Sequence, residues 1–178
     1  MSMELLAPAG SRQALTAAVQ SGADAVYLGG PQFGARYSAE NFTIEEMKTW
    51  VDYCHLYGVD VHVTVNTLVK EKEIESLKEY LKQLNKIGVD ALIVQDMGTV
   101  EIIKKTVPDM TLHASTQMTV TSLEGVKYLE DMGFSRVVLA RELSEKEIEH
   151  ICKNAKAEIE VFVHGAVPDV EYFRRQER

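Results

Sequence analysis

The sequence has few cysteines and no long hydrophobic run, and both shortages exclude classes of protein. Only Cys54 and Cys152 occur among 178 residues, without C-x-x-C spacing, which excludes a disulfide framework and a zinc knuckle. No apolar run approaches the roughly 18 residues of a membrane span, and the first ten residues lack the basic and apolar regions of a signal peptide. We therefore expect a protein of the reducing cytoplasm with no membrane partner.

Basic residues are also in short supply, which argues against a protein that coats nucleic acid. The 19 basic and 27 acidic residues give a net charge of −8 and a pI near 5.2. Binding to phosphate backbones through counterion release needs the opposite balance. Hydrophobic residues make up 46% and charged residues 26%, which is typical of globular chains rather than disordered ones. A chain of this length is expected to form about one domain.

Short β-rich runs alternate with longer stretches of helical period, which is typical of βα units around a parallel sheet. The seven expected strands are Met3–Ala7, Ala25–Gly29, Val61–Asn66, Ala91–Gln95, Thr111–Ser115, Arg136–Ala140 and Ile159–Val163. The six expected helices are Arg12–Ser21, Ile44–Tyr57, Lys72–Ile87, Gly98–Thr106, Leu123–Met132 and Glu145–Ala155. The expected N-caps are Ser11, Thr43, Ser122 and Ser144. A repeated helix–Gly–strand join recurs at Gly22, Gly58, Gly88 and Gly133.

Alternating βα units form either a (β/α)₈ barrel or an open doubly wound sheet. The stretch after the first strand, residues 7–11, holds one glycine and lacks the G-x-G-x-x-G fingerprint of dinucleotide-binding sheets. We therefore favour an α/β fold with a TIM-barrel-like parallel barrel. Seven strands and six helices leave that barrel one strand short of closure.

In a parallel barrel the chemistry lies at the carboxyl ends of the strands. Polar residues near those ends are the candidate catalytic acid–base groups Asp96, His113, Glu142 and His164. The candidate substrate-binding residues are Asn66, Gln95 and Arg141, joined by Arg36 and Tyr37 in the long loop over residues 30–43. For each of them, helix capping or hydrogen bonding at the sheet rim is the structural alternative. Their spacing matches no metal-binding motif, so we expect no metal site.

Cys54 stands beside His55, a pairing that could provide a nucleophile and a base. Neighbouring helical positions point about 100° apart, however, and in a barrel this helix lies on the outer ring, away from the catalytic end. We expect both Cys54 and Cys152 to be buried structural thiols.

Three segments carry a resemblance to a known family: residues 4–10 together with 23–29, residues 36–42, and residues 160–167. The last is the most specific. It follows a signature of Glu, any residue, Phe, two residues of any kind, Gly, a small residue, an aliphatic residue and Cys. The matching residues are Glu160, Phe162, Gly165, Ala166 and Val167, whereas Pro168 stands where the signature has its cysteine. The chain thus resembles peptidase family U32, the collagenase-like peptidases of unassigned catalytic type. The resemblance predicts a TIM-barrel-like domain over residues 1–167 and a charged tail over 168–178.

The resemblance also implies an activity. The family is named for proteolysis, whereas its better-understood members hydroxylate RNA bases or the ubiquinone ring without oxygen, using an iron–sulfur cluster held by downstream cysteines. Cys54 and Cys152 do not match those cysteines. The resemblance therefore implies an N-terminal fragment that is inactive alone and has no cofactor of its own, with a cluster in the full-length parent.

Three functions stay open. The first is a fragment of a family enzyme, a peptidase or a hydroxylase, that acts on a peptide, an RNA or a small aromatic molecule. The second is a non-catalytic assembly module that forms a homo-oligomer through the exposed edges of the first and seventh strands. The third is an unrelated barrel enzyme that binds a small anionic substrate near Gly29, Gly30 or Arg141.

Overall fold

The computed structural model of the chain describes residues 3–35 and 42–163, in which strands and helices alternate throughout. The seven strands of this described part are β1 (Leu6–Pro8), β2 (Ala25–Gly29), β3 (Asp60–Val65), β4 (Ala91–Val94), β5 (Thr111–Ala114), β6 (Arg136–Val138) and β7 (Glu158–Glu160). Its six α-helices are α1 (Arg12–Gln20), α2 (Ile44–Leu56), α3 (Ile74–Ile87), α4 (Met97–Thr106), α5 (Leu123–Asp131) and α6 (Glu145–Asn154). Short 3₁₀ turns cover Glu71–Glu73 and Thr116–Met118.

The bounds differ most from expectation at the first and last strands. β1 begins at Leu6 instead of Met3, because Met3 is 95% exposed and the Leu5 N–H donates to the Asp24 carboxylate (2.7 Å) rather than to a strand. β7 covers residues 158–160 instead of 159–163, since its register with β6 ends at Glu160. Ladder hydrogen bonds, which apolar patterning does not show, decide where a strand begins and ends.

The chain divides after Ser115 into two compact units, and the first contains β1–β5 with α1–α4. Its strands pair in chain order, and all four pairs are parallel. Neighbouring hydrophobic runs therefore point the same way, as the βα alternation predicts.

The two faces of this five-stranded sheet differ in polarity. In-register partners share a face, so the pairings Tyr27–His62, His62–Ala91 and Ile93–His113 define one of them, the polar face. The opposite face is apolar and buried; its residues include Val26, Leu28, Val61, Val63, Val65, Leu92, Val94, Leu112 and Ala114. Burying one Val or Leu side chain stabilises the fold by roughly 1.5–3 kcal/mol, so this face anchors the strands and leaves the polar face for chemistry.

The helices begin and end at the predicted signals. The glycines at the four repeated joins all have φ between 71° and 86°, a left-handed conformation that favours glycine; they are Gly22, Gly58, Gly88 and Gly133. Three predicted N-cap side chains accept a hydrogen bond from the backbone N–H three residues on; they are Ser11, Thr43 and Ser122. At the fourth, the Glu147 carboxylate accepts from the Ser144 N–H (2.7 Å). No helix in the described part of the chain has both the length and the apolar run that a bilayer crossing requires.

The second unit contains β6, β7, α5 and α6 among its described residues, 116–163. β6 and β7 are parallel, with Arg136 opposite Glu158. The buried Arg136 guanidinium donates to Glu158 at 2.6 and 2.9 Å and lies 3.7 Å from Glu160. Glu130, in α5, accepts from the backbone N–H groups of residues 156 and 157. Charged side chains therefore fasten β7 to both of its neighbours in this unit.

Candidate functional site

The carboxyl ends of β3 and β4 bring three of the expected residues together: Asn66 follows β3, and Gln95 and Asp96 follow β4. Gln95 Nε2 donates to the backbone carbonyl of Asn66 (2.7 Å), and Asn66 Oδ1 accepts from the backbone N–H of Ala35 (3.0 Å). Asn66 and Gln95, called the amide pair below, are both half-buried. Through these bonds the amide pair ties the two strand ends to the loop that follows β2.

Asp96 has a structural task in the same rim. It is the N-cap of α4, where Oδ1 accepts from the backbone N–H of Thr99 (3.1 Å), while Oδ2 accepts from the backbone N–H of Val69 (3.3 Å). Each carboxylate oxygen is thus bonded to the main chain, and the negative charge lies at the positive end of a helix. This arrangement holds the loop after β3 against the start of α4.

His113 lies on the polar face and contacts a second histidine that the strand-end analysis missed. The rings of His113 and His62 are 4.6 Å apart and nearly perpendicular, and both residues are buried. They come from β5 and β3, and the small Ala91 of the intervening β4 is in register with His62. Side chains from alternate strands meet in this way inside βα barrels. The polar residues at every second position of β3, in the run Val-His-Val-Thr-Val-Asn, were the signal that could have found His62.

The loop after β2 is fastened over a buried tyrosine. Phe33 has φ 58°, an uncommon conformation for an aromatic residue, and its carbonyl accepts from Thr67 Oγ1 (3.1 Å). Its ring lies 5.8 Å from that of Tyr80, which is 3% exposed and whose pKa burial raises above its ordinary range. Strained loop residues of this kind cluster at ligand-binding sites. Arg36 and Tyr37, further along the loop, lie outside the described residues.

The second unit has its own polar strand end. Arg141 and Glu142 follow β6 and are both exposed. The Arg141 guanidinium carbon lies 4.4 Å from the centre of the Phe162 ring, in cation–π contact two residues after β7. His164, the remaining expected residue, lies outside the described part of the chain.

A family model decides the relationship of this chain to known proteins. The model of peptidase family U32 matches residues 10–170. The chain belongs to this family. The resemblance carried by the three sequence segments is therefore confirmed.

Two curated U32-like relatives show how the chain compares in length. It is 44% identical over 165 residues to the 23S rRNA 5-hydroxycytidine synthase of Escherichia coli (strain K12), covering 93% of this chain and 25% of that protein. It is 40% identical over 164 residues to tRNA hydroxylation protein P1 of Bacillus subtilis (strain 168), covering 92% of this chain and 39% of that protein. The chain thus spans a quarter to two-fifths of the length of these relatives.

A solved structure establishes the fold class. The match to the structure of the U32 peptidase Mk0906 covers 99% of this chain and 76% of that protein's chain, with a TM-score of 0.76 at 20% identity. The predicted α/β, TIM-barrel-like fold is confirmed. The described residues of this U32 chain contain seven strands against eight in a closed barrel, so the part of the barrel that they form is one strand short, as predicted.

The cysteines of this U32 chain do not fit an iron–sulfur cluster, which needs several thiolates, usually four. The sequence has two cysteines. Cys54 is fully buried, and its pKa is raised to about 11 by burial and by the nearby charge of Asp90. Cys152 is exposed, so the expectation that both thiols are buried is wrong for it: its side of α6 faces solvent. Within the described residues, no three His, Cys, Asp or Glu side chains gather closely enough to hold a metal ion.

The sequence neighbours Cys54 and His55 do not act as a nucleophile and base either. His55 Nε2 lies 2.8 Å from Asp90 Oδ2, and that carboxylate also accepts from the backbone N–H of Val61 (2.7 Å). His55 thus bridges α2 to the start of β4, while the Cys54 thiol is buried and protonated at neutral pH.

Proposed function

We propose that this chain is the substrate-binding part of a U32 enzyme that hydroxylates a pyrimidine base in RNA. The observation that carries the proposal is its 44% and 40% identity, over more than nine-tenths of its length, to proteins named for hydroxylation of 23S rRNA and of tRNA. Because the chain spans only part of those proteins and its cysteines do not fit a cluster, we assign substrate binding to this chain and not the redox step. An RNA substrate agrees with the cytoplasmic location expected from cysteine usage.

The side chains at the strand ends suit recognition of a single base. Sequence-specific RNA binding relies on bases that stack on aromatic rings or guanidinium planes and form hydrogen bonds through their edges. Within the first unit, the amide pair offers polar groups for such hydrogen bonds. Local contacts of this kind do not need the excess of basic residues that a chain with a net charge of −8 lacks.

Hydroxylation at a base carbon replaces C–H with C–OH, a two-electron oxidation that needs an oxygen donor and a two-electron oxidant from outside this chain. The part assigned to this chain is to accept the proton that leaves the carbon as its two bonding electrons pass to that oxidant. His113 and His62 are suited to accept this proton, because a neutral imidazole nitrogen can bind a proton and both rings lie on the polar face. We assign Asp96 a positioning role, since both of its carboxylate oxygens bind backbone N–H groups. Glu142 and His164 remain acid–base candidates of the second unit.

Nucleoside analysis tests the proposal directly. Total tRNA and rRNA from cells with and without the gene are digested to nucleosides and compared by mass spectrometry. We expect deletion to remove a pyrimidine nucleoside that is heavier by one oxygen atom, and the unaltered gene to restore it. The His113→Ala variant should fail to restore it, whereas Glu101→Ala, an exposed substitution on α4, should restore it fully. If no oxygenated nucleoside depends on the gene, the proposal is wrong.

Proteolysis is the second candidate, because the family that the chain belongs to is described as a peptidase family. Incubation of the protein with fluorescently labelled gelatin and casein tests it. We expect no release of labelled fragments above that of the heat-denatured protein. Cleavage that persists after repurification would favour the peptidase over the hydroxylase.

Self-association through strand edges remains a proposal. Within the described residues, β1 pairs on one side with β2. A second copy that paired with the other side of β1 would double the mass measured by light scattering after size exclusion. A monomer at all concentrations would count against it.

A further inference from the structure

The orientations of the two side-chain amides of the amide pair are determined by their backbone partners. Ala35 offers an N–H group, which can only donate, so Asn66 must turn its Oδ1 toward it. The backbone carbonyl of Asn66 can only accept, so Gln95 must turn its Nε2 toward it. Neither amide can be flipped without losing its bond. Asn66 Nδ2 and Gln95 Oε1 therefore face away from these anchors.

The outward-facing atoms form a complementary set. Asn66 Nδ2 carries two donor hydrogens and Gln95 Oε1 carries two acceptor lone pairs, and neither atom bonds to another described residue. Both residues are half-buried at the carboxyl ends of the neighbouring parallel strands β3 and β4. Strands in a sheet lie roughly 4.8 Å apart. A fixed donor beside a fixed acceptor thus lies at the rim where βα barrels bind their substrates.

We propose that the amide pair reads the Watson–Crick edge of a pyrimidine base in single-stranded RNA, an inference that rests on the proposed function. Uracil presents its O4 acceptor beside the N3–H donor, and cytosine presents its N3 acceptor beside the N4–H donor. Either edge complements a donor from Asn66 and an acceptor from Gln95. The anchors at Ala35 and at the Asn66 carbonyl hold the pair in that order before the base arrives, which lowers the entropy lost on binding.

An extended peptide residue also presents N–H beside C=O, so the same pair of atoms is able to hold a peptide backbone. The relatives named for RNA hydroxylation favour the base over the peptide. Peptide binding is therefore an outcome that the test has to detect.

The Asn66→Asp variant tests hydrogen bonding to the base separately from the hydrogen bond to the Ala35 N–H. Aspartate has nearly the same shape and keeps an oxygen to accept from the Ala35 N–H, but it replaces the outward donor with a second acceptor. The matched control is Asn85→Asp, which adds the same charge at an exposed position on α3. Far-ultraviolet circular dichroism and thermal unfolding check that both variants fold.

Affinity is measured by fluorescence anisotropy with labelled short oligouridylate and oligocytidylate. A lost bidentate base contact weakens binding by about 5- to 150-fold, and we expect Asn66→Asp to fall in that range while Asn85→Asp matches the unaltered protein. A second probe needs no variant: oligouridylate with N3-methylated bases lacks the N3–H donor, and the unaltered protein should bind it more weakly by a similar factor.

Three results would overturn the inference. The first is equal affinity for methylated and unmodified RNA, and the second is equal affinity of the two variants for RNA. The third is that the protein binds a labelled gelatin peptide instead of RNA and that Asn66→Asp weakens this peptide binding. None of these three results bears on whether the gene is needed for hydroxylation, which the nucleoside analysis tests. A failure of the amide-pair inference is therefore distinguishable from a failure of the hydroxylation proposal. If RNA binding is absent and no oxygenated nucleoside depends on the gene, both proposals fail together.

Discussion

Gly30, directly after β2, should be intolerant of even one added methyl group. A Cβ at this buried position would overlap the Tyr80 hydroxyl oxygen and would approach Tyr80 Cζ to 3.1 Å and Met47 Sδ to 3.3 Å. Tyr80 has little freedom to withdraw, because it is 3% exposed and packs against the Phe33 ring. Gly30 does not have a left-handed φ, so the effect of Gly30→Ala is steric and not a consequence of backbone strain.

The size of the effect follows from two opposing contributions. Overpacking a filled interior costs about 1–3 kcal/mol, and direct overlap with an oxygen atom places Gly30→Ala near the upper value. Replacing glycine with alanine also reduces the backbone entropy of the unfolded chain, which stabilises the folded state by about 0.4–1 kcal/mol. We expect a net loss of about 2 kcal/mol in the free energy of unfolding, or roughly 4–8 °C in Tm for a chain of this size.

A double-mutant cycle identifies the cause. Tyr80→Phe removes the overlapping oxygen, and alone it should cost little, because that hydroxyl is buried without a hydrogen-bond partner among the described residues. Combined with Gly30→Ala, it should recover about half of the lost stability or more. The control is Gly10→Ala, since a Cβ at Gly10 meets nothing within 4 Å.

Urea unfolding followed by the fluorescence of Trp50, the single tryptophan of the chain, reports on the first unit. If Gly30→Ala were as stable as the unaltered protein, or if Tyr80→Phe recovered nothing, the proposed overlap at Gly30 would be refuted.

Three further predictions concern the rim and the second unit. Asp96→Ala should lower the free energy of unfolding by about 1–2 kcal/mol in the Trp50 assay, whereas Asp96→Asn, which keeps a capping oxygen, should cost clearly less; equal losses would contradict the capping role. Arg136→Met should cost about 2 kcal/mol in circular-dichroism unfolding, because it removes two hydrogen bonds from the buried guanidinium to the exposed Glu158 carboxylate and the cation 3.7 Å from the largely buried Glu160. Lys127→Met, which breaks an exposed pair, should cost at most about 1 kcal/mol, and similar values would contradict the role of burial. Hydrogen bonds from two backbone N–H groups lower the pKa of Glu130 from its ordinary value of 4.5. The contribution of the Glu130 carboxylate to the free energy of unfolding is therefore fully present above pH 4.5 and is lost as the pH falls through the folded-state pKa. The advantage of the unaltered protein over Glu130→Gln should therefore shrink in acid, and a difference independent of pH would refute the assignment.

Local signals in the sequence were sufficient for the elements and their direction. Glycine after each of four helices predicted the left-handed joins, because few other residues adopt that φ, and the N-cap residues predicted where helices begin. The βα alternation predicted parallel strands, and the strand pairs within each unit are parallel. These features depend on neighbours close along the chain, so a single sequence contains the information.

The choice among the polar strand-end residues could not be made in this way. Asp96 has the same chemistry whether it caps a helix or acts on a substrate. One of the two backbone N–H groups bonded to it, that of Val69, lies 27 residues before it in the sequence, and the other, that of Thr99, lies three residues after it in α4. His62 was overlooked since it lies within a strand rather than at its end, although its alternation with Thr64 and Asn66 marks the polar face.

The sequence by itself determined the βα alternation, the helix ends and the family, because those depend on short-range backbone preferences and on residue identity at matched positions. Only the tertiary structure decided that His62 meets His113, that Asp96 is bonded to the main chain, and that Asn66 and Gln95 turn a donor and an acceptor outward. Each of these depends on which distant backbone group lies within hydrogen-bond or contact distance, and the register between neighbouring strands sets that distance.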